Sequence, residues 1–278
     1  MKPDIRLLAV DIDGTLLDPT SELPAANLAA LQRAHAKGVE VVLVTGRRYR
    51  FALPIAESLG FDSWLITSNG AIIRSLHGET FFRDLMPVET ALRLCSAMDA
   101  FRRAAVVTFD VEGKGSLVVE TTEGFDPGIR RWLERNRDSI DFVVPLEDAL
   151  TTDPVQMAFA GSLDHMARAE AHLRSTTVES ELTILRTRYP ARDLSIMDVL
   201  RRDCSKGHTL ERWARHRGLE RSQVMAIGDN FNDVEMLEYA GLPVVMGNAA
   251  EEMKQNGWAI TLANDQAGVA AAVEEFIG

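Results

Sequence analysis

Four apolar residues, Leu7–Val10, run without interruption into Asp11, Ile12, Asp13, Gly14 and Thr15. A stretch with no polar alternation suits a strand buried on both faces of a parallel sheet. Few arrangements other than a layered α/β fold bury a strand in that way, and in open α/β sheets ligands bind at the carboxyl ends of the strands. Two carboxylates at such an end, with Gly14 letting the chain turn away, can face one pocket. Taken alone the segment reads first as an acidic turn after a strand, since Asp and Gly are ordinary turn residues.

The pattern recurs along the chain. Residues 24–37, preceded by Leu23, carry Leu28, Leu31 and Ala34 at helical spacing, and Gly38 stops the helix. Residues 39–44 form a second apolar strand ending in Thr45, Gly46 and Arg47, ahead of a helix over residues 49–59. A third strand, residues 64–67, ends in Ser68, Asn69 and Gly70, and residues 71–83 read as a hairpin around His77 and Gly78. Strands that alternate with helices and end in small polar residues predict a doubly wound, Rossmann-like parallel sheet with a site along its carboxyl edge.

From about residue 86 the pattern changes. A helix over residues 87–101 precedes strand patterns at 104–111 and 116–120 joined by a tight turn; helices near 127–137 and 163–173 and strands near 155–160 and 182–189 follow. Turn-length links predict an antiparallel sheet with helices on one face, hence an inserted α+β domain over residues 86–190. The doubly wound pattern then resumes: residues 194–199 read as a strand, Lys206 opens a helix, and a strand over 223–227 ends in Gly228, Asp229, Asn230, Phe231, Asn232 and Asp233. The first domain is thus discontinuous, 1–85 and 191–278. A length of 278 residues fits two domains at roughly 150 residues each.

Charge narrows the partners. Lys and Arg number 30 against 41 Asp and Glu, a formal net charge of -11, which disfavours nucleic acid and anionic membranes, bound mainly through Lys and Arg. An anionic small substrate would need a locally supplied positive site, such as a divalent cation. Cys95 and Cys204 are far apart and in no ligand spacing, and the six histidines form no ligand-spaced group, so neither a disulfide framework nor a zinc site is expected. With no leader-like or membrane-spanning apolar stretch, the expectation is a cytoplasmic protein, a monomer or weak homo-oligomer with two self-contained cores.

Asp11 with Asp13, Thr45 with Gly46, Lys206, and Asp229 with Asn232 and Asp233 therefore all stand at strand ends or helix starts of one expected sheet. Together they offer carboxylates for Mg²⁺, a carboxylate able to attack phosphorus, and a hydroxyl, backbone amides and an ammonium for phosphoryl oxygens. Phosphoryl transfer is the chemistry that uses such a set. A lysine at a helix start opposes the helix dipole, so an anionic partner accounts for Lys206 better than solvent does.

On these motifs the chain resembles the haloacid dehalogenase-like phosphatase superfamily, and more closely its Cof-type branch with the larger cap inserted after the second motif. DIDGTL is similar to the first family motif, VTGR to the second, Lys206 in CSKG to the third and GDNFNDVEML to the fourth; VVMGNA and AGVAAAVEEF resemble the family's tail. The resemblance implies that Asp11 is the nucleophile, forming an aspartyl-phosphate, and that Asp13 protonates the leaving oxygen and then activates water. It implies Mg²⁺ on the Asp11 carboxylate, the Asp13 backbone carbonyl and the Asp229 carboxylate, with Asp233 orienting metal waters or Lys206. Thr45, the Gly46 amide, Lys206 and Asn232 would hold the phosphoryl oxygens. Arg47 either reaches the substrate or lies on the surface, and Asn69 is either near the substrate or one half of an ordinary Asn-Gly turn.

A cap over residues 86–190 would exclude bulk water and favour small phosphorylated metabolites, sugar phosphates first and flavin mononucleotide and other cofactor phosphates behind. Arg186, Arg188 and the turn 112–115 are the cap's candidate substrate contacts, each also readable as surface charge. Two alternatives use the same fold: a phosphomutase, which needs the same residues, and a non-catalytic regulatory member. A dinucleotide-binding domain would want glycines where the first strand instead ends in an acidic turn.

Overall fold

The computed structural model describes residues 3–278; Met1 and Lys2, with which the expected first domain begins, lie outside the described residues. Two compact units divide the chain, one reaching up to Arg83 and resuming over Cys204–Gly278, the other Asp84–Asp203.

The first unit starts with β1 (Leu7–Val10), α1 (Ala25–Ala36), β2 (Glu40–Val44), α2 (Tyr49–Ser58), β3 (Trp64–Thr67), β4 (Ile72–Ser75) and β5 (Thr80–Arg83). The second unit holds α3 (Val88–Ala97), β6 (Ala105–Thr108), β7 (Leu117–Val119), α4 (Pro127–Arg135), β8 (Ile140–Phe142), β9 (Gln156–Gly161), α5 (Leu163–Arg174), β10 (Leu182–Tyr189) and β11 (Leu194–Arg201). The first unit closes with α6 (Lys206–His216), β12 (Val224–Gly228), α7 (Val234–Tyr239), β13 (Leu242–Val245), α8 (Glu251–Lys254), β14 (Ala259–Ile260) and α9 (Gly268–Phe276).

In the first unit eight strands lie in the order β14-β13-β12-β1-β2-β3-β4-β5, and β1 pairs in parallel with both β12 and β2. Its side chains alternate between two cores. Leu8 and Val10 join Leu31 of α1 and Val269 of α9, whereas Leu7 and Ala9 join Trp213 of α6 and Leu237 of α7. Helices on both faces explain why the strand has no polar alternation. The hairpin β4–β5 extends the sheet in the antiparallel sense.

The turn after β1 is a wide one, with the Leu16 and Leu17 N–H groups donating to the carbonyls of Asp11 and Ile12 at 3.2 and 3.0 Å. Gly14 takes φ +84° within it, a left-handed conformation that glycine adopts without steric cost. Ile12 and Leu16 are fully buried on either side, so the acidic residues ride on a turn held by two apolar side chains.

In the second unit six strands lie in the order β10-β11-β9-β6-β7-β8. Three expectations are corrected here. Residues 194–199, expected to rejoin the first sheet, lie in β11, which pairs along its length with β10 and over Ser195–Val199 with β9, both in the antiparallel sense. A three-residue link, Pro190–Arg192, followed by Asp193 in the left-handed region, suits a return strand, whereas entry to a parallel sheet needs a crossover. The inserted unit therefore runs Asp84–Asp203, not 86–190. Strand β8 was not expected, and it runs parallel to β7, with α4 as the crossover. The helices also do not share one face: α3 and α5 pack with Val107, Met157 and Phe159, while Leu133 of α4 packs with Leu117, Val119 and Ile140. The alternation of Leu117, Val118 and Val119 between these two clusters places them on opposite faces. Among the described residues no helix is long and apolar enough to cross a membrane.

Candidate active site

Strands β13, β12, β1, β2 and β3 are parallel neighbours, so the residues that follow them meet at one edge of the first unit's sheet. Asp11 follows β1 and is 4% exposed, with its N–H donating to Ile227 O of β12 at 3.0 Å. Lys206, the first residue of α6, is fully buried there. Its Nζ donates to Asp11 Oδ1 at 2.6 Å and to Asp233 Oδ1 at 2.5 Å. The helix start is built for this: Ser205 caps α6 by accepting from the His208 N–H at 3.2 Å, and its hydroxyl donates to Glu235 at the start of α7. A buried ammonium at the positive end of a helix is tolerated because two carboxylates face it.

Asp233 has no exposure and both its oxygens are engaged, Oδ2 accepting from the N–H groups of Asp229 and Asn230 at 3.0 Å each. Asp229 accepts from the Thr15 hydroxyl through Oδ1 at 2.8 Å. One oxygen from each of Asp11, Asp229 and Asp233 lies within 4.8 Å of the others. The three carboxylates outnumber the one ammonium, and the titration of the group reflects it. Burial, then the neighbouring Asp233, hold the Asp11 carboxyl well above the usual carboxylate range against the pull of Lys206. Burial and Asp233 push Asp229 up to about 7, although its bond from Thr15 works the other way. For Lys206 burial alone would lower the ammonium, but Asp11 and Asp233 outweigh it and the group is raised. A donor set of close, under-compensated carboxylates is what a hard divalent cation requires, so these residues fit a metal ion.

Asp13 is not one of the three, although its charge also helps to raise Asp229. Its carboxylate is paired with Arg47, whose side chain is partly exposed. Thr45, 1% exposed, accepts from the Arg47 N–H through its hydroxyl at 3.0 Å. Asn69 is completely buried at φ +55°, and its Oδ1 accepts from Asn232 Nδ2 at 3.0 Å. The same Oδ1 would stand 3.0 Å from a Cβ added at Gly46. Asn69 thus sits in a turn, as one of its two readings has it, and its side chain meets both Asn232 and the α-carbon side of Gly46.

Several supporting residues carry weak sequence signals. Thr15 is visible only as the residue after Gly14. Asn248 follows β13 as Asn69 follows β3, and its Nδ2 donates to the Gly14 carbonyl at 2.8 Å. Asn27 stands in the buried face of α1 beside Ala30 and Leu31, a polar residue at an apolar position, and is fully buried. In the second unit Arg186 is ion-paired with Glu170, and the turn 112–115 links β6 to β7 as an ordinary hairpin loop.

Comparison with known proteins gives the family. Residues 8–273 match the family model described as haloacid dehalogenase-like hydrolase. The chain is 28% identical to phosphatase YwpJ of Bacillus subtilis over 98% of this chain and 100% of that one. It is 31% identical to pyridoxal phosphate phosphatase YbhA of Escherichia coli over 90% of each. A haloacid dehalogenase-like hydrolase from Bacteroides thetaiotaomicron superposes with a TM-score of 0.79 at 26% identity, covering 98% of this chain and 99% of the other. The chain belongs to the haloacid dehalogenase-like hydrolase family.

Proposed function

We propose that the protein is a Mg²⁺-dependent phosphatase that hydrolyses small phosphorylated metabolites, sugar phosphates among them, through an aspartyl-phosphate on Asp11. The observation that carries this is the buried Lys206 ammonium between Asp11 and Asp233, with Asp229 alongside, at the carboxyl edge of the parallel sheet. Lys206 engages Asp11 through Oδ1, which leaves Oδ2 as the oxygen to attack phosphorus. The new Oδ2–P bond forms as the ester P–O bond breaks, and the leaving oxygen takes a proton from Asp13. Asp13 then removes a proton from water; that water's oxygen bonds to phosphorus, the acyl-phosphate P–O bond breaks, and the Asp11 carboxylate is restored. Thr45, the Gly46 amide, Lys206 and Asn232 hold the phosphoryl oxygens, with Asn69 fixing Asn232.

The Asp11 and Asp229 carboxylates and the Asp13 backbone carbonyl would hold Mg²⁺, which when bound supplies positive charge against the phosphoryl oxygens. Asp233, with both oxygens committed, holds Lys206 and the Asp229 backbone in place. The second unit interrupts the first in sequence, as an inserted cap would. The relative named for pyridoxal phosphate supports a small phosphate monoester as substrate.

Phosphate release from sugar phosphates, nucleotides and cofactor phosphates, measured with Mg²⁺ and with chelator for the wild type and Asp11→Asn, tests the proposal. Release that needs both Mg²⁺ and Asp11 is the expected result. A folded protein that binds Mg²⁺ yet releases phosphate from no ester would overturn it.

A further inference from the structure

The turn that carries Asp11, Asp13 and Thr15 is fastened by three asparagine side chains, one from the helix that follows it and two from the far end of the chain. Asn248 Nδ2 donates to the Gly14 carbonyl at 2.8 Å, and its Oδ1 accepts from the Asn264 N–H at 2.9 Å. Asn264 Nδ2 donates to the Leu17 carbonyl at 2.8 Å. Asn27 Nδ2 donates to the Leu16 carbonyl at 3.0 Å, while its Oδ1 accepts from the Ala270 N–H in the first turn of α9, also at 3.0 Å. Asn27 and Asn264 are buried, where an unpaired amide would be costly, and Asn27 uses both ends of its amide.

Asn248 differs from the other two because it is exposed, so its removal opens no hole in the core. Its bond falls on the one residue of the turn whose torsions no side chain restrains. Gly14 separates the Asp13 carbonyl from the Thr15 hydroxyl, and Thr15 in turn holds Asp229. Rotation about the Gly14 backbone would move the Asp13 carbonyl and Thr15 relative to one another.

We infer that Asn248 is a positioning residue: by holding the Gly14 carbonyl it sets the Asp13 carbonyl and, through Thr15, the Asp229 carboxylate in the arrangement that takes the divalent cation. This rests on the metal site given under the proposed function.

The test is calorimetric titration of Mg²⁺ into the substrate-free protein, for the wild type, Asn248→Ala and Asn248→Asp, with urea midpoints and steady-state kinetics alongside. Asn248→Asp keeps an acceptor for the Asn264 N–H, loses the donor to Gly14 and sets a negative charge against that carbonyl, whereas Asn248→Ala loses the donor without adding charge. Both variants are expected to weaken Mg²⁺ binding by about tenfold, with KM for the ester at saturating Mg²⁺ and the urea midpoint close to wild type. Wild-type Mg²⁺ affinity in both variants overturns the inference and leaves the proposed function standing. So does a result in which Mg²⁺ affinity and the urea midpoint fall while KM rises, since that is a folding defect. Absence of Mg²⁺ binding by the wild type itself overturns both.

Discussion

Arg47 closes two guanidinium nitrogens on the two carboxylate oxygens of Asp13, Nε on Oδ2 at 2.7 Å and Nη2 on Oδ1 at 2.6 Å. The residues follow neighbouring strands β2 and β1, so the paired geometry is set by the sheet. Their side chains are 27% and 44% exposed, and a pair so open to water contributes little to stability. What it supplies is orientation of the carboxyl that the proposed mechanism uses as acid. Arg47→Ala should therefore slow phosphate release from an alkyl phosphate by about 10- to 100-fold. The loss on p-nitrophenyl phosphate should be much smaller, because nitrophenolate departs without a proton. Equal losses across a leaving-group series would place Arg47 on the phosphoryl group instead.

Lys206→Met keeps the unbranched side chain up to its last atom and removes its charge, leaving Asp11 and Asp233 buried without their cation. Breaking a buried ion pair from one side costs about 3–5 kcal/mol. The urea midpoint of the metal-free protein should drop accordingly, and phosphate release should be lost. Mg²⁺ should restore part of the midpoint and none of the activity. An unchanged midpoint in chelator would show that Asp11 and Asp233 are not charged together.

Stability without metal should fall as pH rises from the ordinary aspartate range to about 7, the value to which Asp229 is raised. The sign follows from proton binding: in that window the folded state keeps a proton on Asp229 that the unfolded chain has lost, so raising pH favours unfolding. Asp229→Asn should flatten this slope and stabilise the metal-free protein more at pH 8 than at pH 5. Mg²⁺ binding near pH 6 should release protons, measurable by calorimetry in buffers of different ionisation enthalpy. A midpoint that rises across the window would contradict the assignment.

Gly70 takes φ +108°, and a Cβ there would stand 2.2 Å from the Ser205 carbonyl oxygen, which is backbone and cannot swing aside. Gly70→Ala should destabilise the protein by about 1–3 kcal/mol through overpacking. Because Ser205 precedes Lys206, activity should fall further than the stability loss alone accounts for. Urea unfolding and kinetics on the same preparation separate the two effects, and an unaffected kcat would show that the α6 start yields without disturbing Lys206.

Local chemistry in the chain was enough to place Asp11, Asp13, Thr45, Lys206 and Asp229 at strand ends and helix starts, since an apolar run broken by small polar residues shows where a buried strand stops. The doubly wound core followed from the same pattern. Pairing partners were another matter. Residues 194–201 hold enough apolar side chains to read as a strand of either sheet, and only their antiparallel register with β10 and β9 shows which one they complete. Strand β8 is three residues long, too short for any period to register. The contacts that organise the site were equally out of reach: Arg47 with Asp13 spans 34 residues, Asn232 with Asn69 spans 163, and Asn248 with Gly14 spans 234. Side-chain pattern records whether a residue faces core or water, because burial acts on each residue through its own apolar surface. Which two polar groups meet is decided by strand order, and strand order is a property of the folded sheet.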